Sequence, residues 1–359
     1  MKFDLKKHFN KKKVLITGHT GFKGSWLTLW LHNYGAKIMG ISANIPTSPN
    51  HFSKLKLNKN IINRKCNIKN YYKTFKIINN FKPDYIFHFA AQSIVSHSYI
   101  NPLETWNTNT LGTINILESV RKLKNKCNVI IITSDKSYRN FEVLRGYKET
   151  DILGGNDPYG ASKAAAEISI KSYFESFLKE KPNLRLAIAR AGNVVGGGDW
   201  TPNRLIPDCV KNWSKNKKPF IRNPNSTRPW QHVLEVIYGY LLLSINLKNN
   251  KKINGEAFNF GPKNQNDYSV NSVLLIARKN WNQASWKFNK KSKFKESKLL
   301  KLNSQKSKKK LSWNCILGFK DTINLTINWY KLYYSNKGKN VKNISIKDLN
   351  FYKKKLNIN

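Results

Sequence analysis

Short apolar runs alternate with longer amphipathic segments through the first half of the chain, the pattern of repeated β-α units. The apolar runs predict strands at residues 14–17, 37–42, 84–89, 129–133 and 184–191. The run at 129–133 is apolar throughout, which is typical of a parallel strand buried on both faces. Helical spacing of apolar positions predicts helices at 25–34, 104–123 and 158–177. The pattern therefore predicts an α/β fold built on a doubly wound parallel sheet.

The sequence changes character beyond Gly192. Three consecutive glycines at 196–198 and several prolines divide it into loops and short elements, and residues 287–310 are rich in Lys, Ser and Asn. We therefore predict a first domain at 10–192 that carries the chemistry and a smaller C-terminal substrate-binding lobe at 193–335. We expect some elements of this lobe to return to the first domain. Residues 336–359 are predicted to be a basic tail.

The chain carries a large positive charge. Its 359 residues include 64 Lys and Arg against 20 Asp and Glu, a formal net charge of +44. Such a surplus points to nucleic acid or an anionic membrane as a partner. The cations are mostly Lys, lie scattered and accompany many Asn and Ile, which favours a compositional bias over the whole surface. We therefore predict no nucleic-acid and no membrane partner, and keep a basic nucleic-acid-binding protein as the alternative from another class.

The cysteines and the apolar runs indicate in which cellular compartment we expect the protein. The four cysteines lie far apart without a C-x-x-C pair, so the sequence predicts no metal site and no disulfide framework. The N-terminal apolar run breaks at Thr17 and Gly18, too early for a signal peptide. No stretch approaches the roughly 18 apolar residues of a membrane-spanning helix. We therefore expect a cytoplasmic protein.

A glycine turn follows the first predicted strand. Gly18, Gly21 and Gly24 recur at every third position, and Thr20 and Phe22 lie between them. Glycine permits the tight turn, the approach of a pyrophosphate to the backbone and the packing of helix on strand. The N-terminus of the next helix then offers N–H groups and a partial positive charge to phosphates. The turn predicts a dinucleotide site on a Rossmann-type sheet.

The end of the second strand distinguishes between dinucleotides. An acidic residue there would hold the ribose of NAD, and the chain offers Ser42 and Asn44 instead. No Arg follows at once to bind the 2′-phosphate of NADP, so NAD is the predicted cofactor. Asn67 and Ile68 stand where an adenine contact is expected, although Asn67 is equally explained as a surface loop residue.

Candidate catalytic residues follow the predicted strand at 129–133. Ser134, Asp135 and Lys136 come directly after it, at the sheet edge where open α/β folds bind ligands. Tyr159 and Lys163 lie four residues apart at a helix start and therefore share one face. A neighbouring ammonium lowers the pKa of a phenol, so we expect Tyr159 to act as a general base.

These motifs resemble the extended short-chain dehydrogenase/reductase family over residues 10–335. Within that family the chain is similar to the nucleotide-sugar 4,6-dehydratases, in particular those that act on CDP-glucose. The resemblance rests on TGHTGFKGSWL at 17–27, HFAAQ at 88–92, NTLGT at 109–113, TSDKSY at 133–138, GYKETD at 146–151, RAGNVVGGGDW at 190–200 and RPWQHVLE at 228–235.

The resemblance implies a reaction. Tyr159 would take the proton of the sugar 4-hydroxyl while hydride passes to NAD, with Ser134 bound to that hydroxyl and Lys163 to the nicotinamide ribose. Lys136 would remove the proton on C5, and a protonated Asp135 would donate to the departing 6-hydroxyl. The hydride then returns to C6, so the cofactor is not consumed. A salt-bridged turn is the structural alternative for Asp135 and Lys136, and a 4-epimerase would need neither residue.

The resemblance also implies binding residues. Further cofactor contacts would come from Ala90, Ala91, Gln92 and Asn109. Substrate contacts would come from Gln92, Ser134, Asn193, Arg204, Leu205, Arg222, Arg228 and Glu296. Ser137 and Arg139 differ from the family motif, so dehydratases of dTDP- or GDP-sugars and 4-epimerases stay open as alternatives. The two long helices resemble those that pair as a four-helix bundle, which implies a homodimer or a tetramer.

Overall fold

A seven-stranded parallel sheet organises the chain in a computed structural model that describes residues 4–262, 268–288 and 299–358. Glu296 lies outside the described residues. The strands of this sheet are β1 (Lys13–Thr17), β2 (Lys37–Ser42), β3 (Ile62–Lys65), β4 (Tyr85–His88), β5 (Cys127–Ile132), β6 (Leu184–Ala191) and β10 (Ala257–Phe260). Their order is β3-β2-β1-β4-β5-β6-β10, and every neighbouring pair is parallel. The predicted doubly wound parallel sheet is confirmed.

Helices cover both faces of the sheet and extend into the second half of the chain. They are α1 (Leu5–Phe9), α2 (Phe22–Asn33), α3 (His51–Leu55), α4 (Tyr71–Phe81), α5 (Val95–Ile100), α6 (Pro102–Trp106), α7 (Gly112–Arg121), α8 (Pro158–Tyr173), α9 (Leu205–Trp213), α10 (Val233–Asn249), α11 (Val270–Asn280), α12 (Gln305–Leu311), α13 (Phe319–Ser335) and α14 (Val341–Leu356). Within the described residues, none of these helices has the length and apolar character needed to cross a bilayer.

Two predicted helices contain a π-helical turn. The segment predicted as one helix at 104–123 consists of α6, a π-helical turn at Asn107–Leu111 and α7. Helix α8 continues into a second π-helical turn at Phe174–Leu178. Helical periodicity alone does not distinguish such a turn from an α-helix, because the same face stays buried. Asn109 on the first π-helical turn is fully buried.

Part of the second half returns to the main sheet. Strand β10 pairs with β6, and α10 is buried along nearly its whole length against β5 and β6. Short parallel pairs form outside the main sheet, between β7 (Val194–Val195) and β9 (Gln231–His232) and between β8 (Phe220–Ile221) and β11 (Lys287–Phe288). The loop-rich sequence beyond Gly192 thus contributes to the core of the main sheet and also forms short strand pairs outside it.

The three consecutive glycines are explained by close packing. A Cβ atom on Gly197 would lie 2.0 Å from the Trp329 ring, and one on Gly198 would lie 2.5 Å from His51. The carbonyl of Gly197 also accepts a hydrogen bond from the Trp26 indole at 2.9 Å. The run therefore lets a loop at the sheet edge pack directly against α2, α3 and α13.

The segment predicted as a basic tail contains a packed helix. Helix α14 buries Leu349 and Tyr352 completely, while Lys347, Lys354 and Lys355 are exposed. The Tyr352 hydroxyl donates to the Glu235 carboxylate at 2.7 Å. Ser345 is hydrogen-bonded to His51 at 3.0 Å. The high lysine content concealed an apolar stripe that anchors the helix to the body of the protein.

We expect Asp348 to make the anchoring of α14 depend on pH. Its carboxyl is buried with one oxygen unpartnered, and burial raises its pKa to about 8 against a small opposing effect of Lys347. A carboxyl whose pKa is raised on folding stabilises the protein below its unfolded pKa of about 3.9 and loses that contribution as the pH rises to about 8. We expect Asp348→Asn to unfold at a higher temperature than the parent at pH 8, with the difference shrinking toward pH 5.

Thermal unfolding of both proteins across this pH range measures that difference. Subtracting the parent removes the effect of buried histidines such as His51, whose pKa is lowered by burial and which therefore acts in the opposite direction. A difference that does not change with pH would show that Asp348 is ionised normally in the folded protein.

Candidate active site

The glycine turn connects β1 to α2 at the carboxyl edge of the sheet. Gly18 has a φ of +74°, and a Cβ atom there would lie 2.8 Å from the backbone nitrogen of Ala90. A Cβ on Gly24 would lie 2.3 Å from the Gly18 carbonyl oxygen. Only glycine fits both positions, so the N-terminus of α2 lies directly against the turn. This cradle presents a helix N-terminus to phosphates, as a dinucleotide requires.

His19, the second residue of the glycine turn, contacts the end of β2. The buried His19 ring contacts the Ser42 hydroxyl at 3.0 Å and the Asn63 side chain at 3.0 Å. Burial lowers the pKa of His19, so the ring is neutral at pH 7. The Thr20 hydroxyl donates to the carbonyl of Asn44 at 2.8 Å. Ser42 and Asn44 therefore lie at the end of β2, where we expect the adenosine ribose to bind.

The remaining predicted cofactor residues lie on the adjoining loops. Asn109 accepts from the backbone N–H of Gln92 at 2.8 Å and donates to Ser162 on α8 at 2.9 Å. The Gln92 side chain donates to Thr105 on α6 at 2.9 Å. Asn67 accepts from the N–H of Lys69 in a local turn at 3.0 Å. Ala90 and Ala91 follow Phe89 in the loop after β4, and Ile68 packs against Gly112.

Ser134 begins a short turn at the end of β5. Its hydroxyl accepts from the Lys136 N–H at 3.2 Å and donates to one Asp135 oxygen at 2.9 Å. The other Asp135 oxygen is buried without a partner. Burial raises the pKa of Asp135, although the neighbouring Lys136 and Ser134 oppose the shift. Burial thus favours the protonated acid, and the unpartnered oxygen leaves a position for a hydrogen bond to a ligand.

Tyr159 and Lys163 lie on the first two turns of α8. The helix starts with Pro158 and is capped by Asp157, whose side chain accepts from the Gly160 N–H at 2.9 Å. Burial lowers the pKa of Lys163 to about 8. The Lys163 ammonium donates to the carbonyl of Ile132 on β5 at 3.4 Å. The helix start thus brings both side chains over the end of β5.

The pKa of Tyr159 differs from the expectation. Burial raises it to about 12, while the neighbouring Ser134 side chain lowers it and the charge of Asp135 raises it further. The predicted net lowering of the Tyr159 pKa is wrong for the protein alone, because removing a phenolate from water costs more than the nearby positive charge returns. Sequence spacing identifies neighbours on a helix face, but it does not measure how deeply that face is buried.

Among the remaining predicted substrate residues, two lie at the start of α9 and three lie elsewhere in the second half of the chain. Arg204 precedes α9, pairs with Asp199 at 2.8 Å and lies close enough to Tyr159 for its charge to lower the pKa of that phenol. Leu205 opens α9, and the carbonyl of Asn193 accepts from the N–H of Gln231 at 3.2 Å. The structure places Arg222 near Asp208 on α9, and Arg228 donates to the carbonyl of Thr227 at 2.7 Å.

Lys23 is a member of the site that the sequence analysis missed. It lies on the first turn of α2, partly buried, and its pKa is lowered to about 7 by burial and by the charges of Lys163 and Arg204, with Asp135 acting in the opposite direction. The side chain therefore extends from the glycine turn toward the catalytic candidates. The available sequence signal was a lysine directly before residues 24–31, which contain no charged side chain.

The parallel sheet, the glycine turn and the Tyr159–Lys163 pair together define a protein of the short-chain dehydrogenase/reductase class. The family model described as GDP-mannose 4,6 dehydratase matches residues 15–326, and the chain belongs to this family. The CDP-glucose 4,6-dehydratase of Salmonella typhimurium is 39% identical over 333 residues, which cover 91% of this chain and 93% of that protein.

More distant relatives include epimerases as well as dehydratases. The CDP-paratose 2-epimerase of Salmonella typhi is 27% identical over 74% of this chain and 81% of its own length. The crystal structure of a dTDP-glucose 4,6-dehydratase from Bacillus anthracis in complex with NAD matches with a TM-score of 0.75 at 22% identity. That match covers 89% of this chain and 97% of the crystallised chain. At such identity it supports the fold, and the particular activity depends on the site.

Proposed function

We propose that the protein is a CDP-glucose 4,6-dehydratase that uses NAD and forms CDP-4-dehydro-6-deoxyglucose and water. The observation that carries the proposal is that Ser134, the buried acid Asp135 and Tyr159 lie near one another at one sheet edge, Ser134 bound to Asp135 and both of them affecting the pKa of Tyr159. The similarity of 39% to the Salmonella typhimurium enzyme over nearly the full length supports the choice of CDP-glucose.

The cofactor fits the glycine cradle. A Cβ atom on Gly18 or Gly24 would overlap neighbouring backbone, so the turn presents bare backbone and a helix N-terminus to the pyrophosphate. Ser42 and Asn44 would hold the adenosine ribose, and Lys163 the nicotinamide ribose. Bound there, NAD would supply the acceptor for a hydride from C4 of the sugar and the donor of that hydride to C6.

Tyr159, Ser134 and Lys163 would perform the first proton transfer. Ser134 binds the 4-hydroxyl of the sugar, and Tyr159 accepts its proton. Because burial raises the pKa of Tyr159 to about 12, the phenolate depends on nearby positive charge. Lys163 is one helical turn away, and Arg204 already lowers the pKa of this phenol. Both cations would stabilise the phenolate during oxidation.

Asp135 and Lys136 would perform the elimination. Oxidation at C4 acidifies the proton on C5, which Lys136 removes from its partly buried position beside Asp135. Asp135 donates a proton to the departing 6-hydroxyl, and the protonated Lys136 would return a proton to C5 when hydride adds to C6. The raised pKa of Asp135 and its unpartnered oxygen support the acid role over a salt-bridged turn, since an ionised carboxylate has no proton to donate. A 4-epimerase would require neither residue.

The substrate assay that tests the function uses the purified protein with NAD and CDP-glucose, in parallel with dTDP-, GDP- and UDP-glucose and GDP-mannose. Mass spectrometry reads each product. Loss of one water from CDP-glucose in preference to the other sugars is the expected result. Loss of water from another nucleotide sugar would keep the mechanism and refute the base preference. An isomer of unchanged mass, recognised chromatographically, would indicate an epimerase, and the absence of any product would contradict the enzyme assignment.

We also propose that two chains associate through the long helices. Several large apolar side chains on this side of the protein are exposed, namely Leu103, Trp106, Leu111, Ile168 and Phe177. They lie on α6, on α8 and on the π-helical turns, the elements that would form a four-helix bundle across a dimer. Leu103 is 72% exposed and Ile168 is 62% exposed, which is costly for two such large apolar residues in a monomer.

A charge at this surface should separate the subunits. We expect the parent protein to sediment at twice the chain mass, and Leu103→Glu with Ile168→Glu to sediment as a monomer, because burying two carboxylates opposes association. Phe351→Glu is the matched control, since Phe351 is an exposed apolar residue on α14. A parent that sediments as a monomer, or a double variant that stays dimeric, would contradict this interface.

The product would supply deoxysugar synthesis for a surface polysaccharide, because a 4-keto-6-deoxy sugar nucleotide is a substrate for further reduction or amination. We place this reaction in the cytoplasm. The four free, buried cysteines support a reducing compartment.

A further inference from the structure

A buried ion pair lies directly behind the turn that carries Ser134, Asp135 and Lys136. Glu167 on α8 is 2% exposed, and Arg190 on β6 is 4% exposed. The Arg190 Nε atom lies 2.9 Å from each Glu167 carboxylate oxygen, and Nη2 donates to Oε2. Removing one partner of such a pair would leave an uncompensated buried charge, so the two residues hold each other in place.

The Glu167 carboxylate also binds both ends of the turn. The Thr133 hydroxyl donates to Oε1 at 2.6 Å. The Ser137 hydroxyl lies 3.0 Å from the same oxygen and 2.5 Å from the carbonyl of Ser134. Thr133 immediately precedes Ser134, and Ser137 immediately follows Lys136. The three proposed catalytic residues therefore lie between two hydroxyl groups that meet at one carboxylate oxygen.

Arg190 also contacts Tyr138, the residue that follows Ser137 in the chain. Its Nη1 donates to the Tyr138 hydroxyl at 2.6 Å, and its guanidinium lies 4.8 Å from the centre of the Tyr138 ring. Tyr138 in turn donates to Asn259 on β10 at 2.8 Å. Thr133, Ser137, Tyr138, Glu167 and Arg190 are called the Glu167 cluster below. This cluster connects the turn to β6, β10 and α8.

Glu167 lies on the same helix as two of the candidate catalytic residues. Glu167 follows Lys163 by one helical turn and Tyr159 by two, so the three side chains lie along one face of the helix. The charge of Glu167 raises the pKa of Lys163 against the larger effect of burial. The cluster thus joins the helix that carries Tyr159 and Lys163 to the turn that carries the other three residues.

We propose that Glu167 is a positioning residue. By accepting the hydroxyl groups of Thr133 and Ser137, it fixes the turn at the separation from Tyr159 at which both halves of the reaction reach one sugar. The inference rests on the proposed function, because only a reaction that uses the turn and Tyr159 in sequence needs this separation. Displacements of about 1 Å in such a site reduce rates by about 100-fold.

The test removes the hydroxyl groups and leaves the ion pair intact. We expect Thr133→Val with Ser137→Ala to lower kcat on CDP-glucose by about 100-fold while KM changes less than about threefold, because the turn moves and the binding residues do not. Thr133→Ser is the matched control, since it keeps a hydroxyl at the same position, and it should retain most of the kcat. Thermal unfolding of each variant shows whether the fold is preserved.

Each outcome separates the inference from the function. An inactive parent protein in the same assay would refute the proposed function. An active parent with an unchanged kcat in the double variant would refute the positioning role. A loss of kcat that follows the loss of thermal stability and recovers on cooling would show a purely structural role and would also overturn it. If the double variant does not fold, Thr133→Val alone is measured in the same way, and an unchanged kcat overturns the inference.

Discussion

Tyr159→Phe should lower turnover of CDP-glucose by about 10³-fold while NAD still binds. The change removes one hydroxyl, which would accept the proton of the sugar 4-hydroxyl, and it keeps the ring that fills the buried position at the start of α8. Without an acceptor for that proton, oxidation at C4 cannot proceed. Product formation by mass and NAD binding by calorimetry measure the two properties separately.

The control for this experiment is Tyr72→Phe. Tyr72 is 81% exposed on α4, so the loss of its hydroxyl should leave turnover unchanged. If Tyr159→Phe turns over within about tenfold of the parent, another group accepts the proton, and the high pKa of this phenol describes a structural tyrosine.

Lys136→Met should separate the two halves of the reaction. The variant keeps Ser134, Tyr159 and Lys163 for oxidation at C4, but it lacks the base for the proton on C5. We therefore expect turnover to fall by about 10³-fold. We also expect the absorbance of reduced nicotinamide to accumulate in a single turnover, because the 4-keto intermediate has no route forward.

Lys73→Met is the matched control, since Lys73 is an exposed lysine on α4. It should resemble the parent in both measurements. A Lys136→Met variant that keeps full turnover would exclude Lys136 as the base. One that loses turnover without any reduced nicotinamide would place Lys136 before or at hydride transfer.

The sequence predicted much of the sheet because buried parallel strands have a distinct pattern. Strands β2 and β6 match the predicted bounds, and the run that predicts β5 is apolar on both faces. Strand β3 was missed because its residues Ile62–Lys65 are all exposed, so no apolar pattern distinguishes them from a loop. Helix α14 was missed because its five lysines and the polar Ser345 and Asp348 within its buried face obscure the apolar spacing.

The sequence predicted those parts of the candidate site that are encoded in short local motifs. The glycine turn, the residues after β5 and the Tyr159–Lys163 pair each follow from a short motif at a strand or helix end. Lys23 was missed because its role depends on the proximity of its side chain to residues on other elements, which are distant in the sequence. The raised pKa of Tyr159 and the links through Glu167 escaped for a similar reason, since depth of burial and contacts between distant strands are not properties of a motif.

The central claim is an internal transfer of hydride from C4 to C6 of CDP-glucose. The most direct measurement uses CDP-glucose that carries deuterium at C4, unlabelled NAD and the purified protein in ordinary water. The expected product has lost one water and keeps the deuterium, now in the C6 methyl group. Deuterium lost to solvent or left on the nicotinamide, or deuterium that stays at C4 of an unchanged sugar, would contradict it.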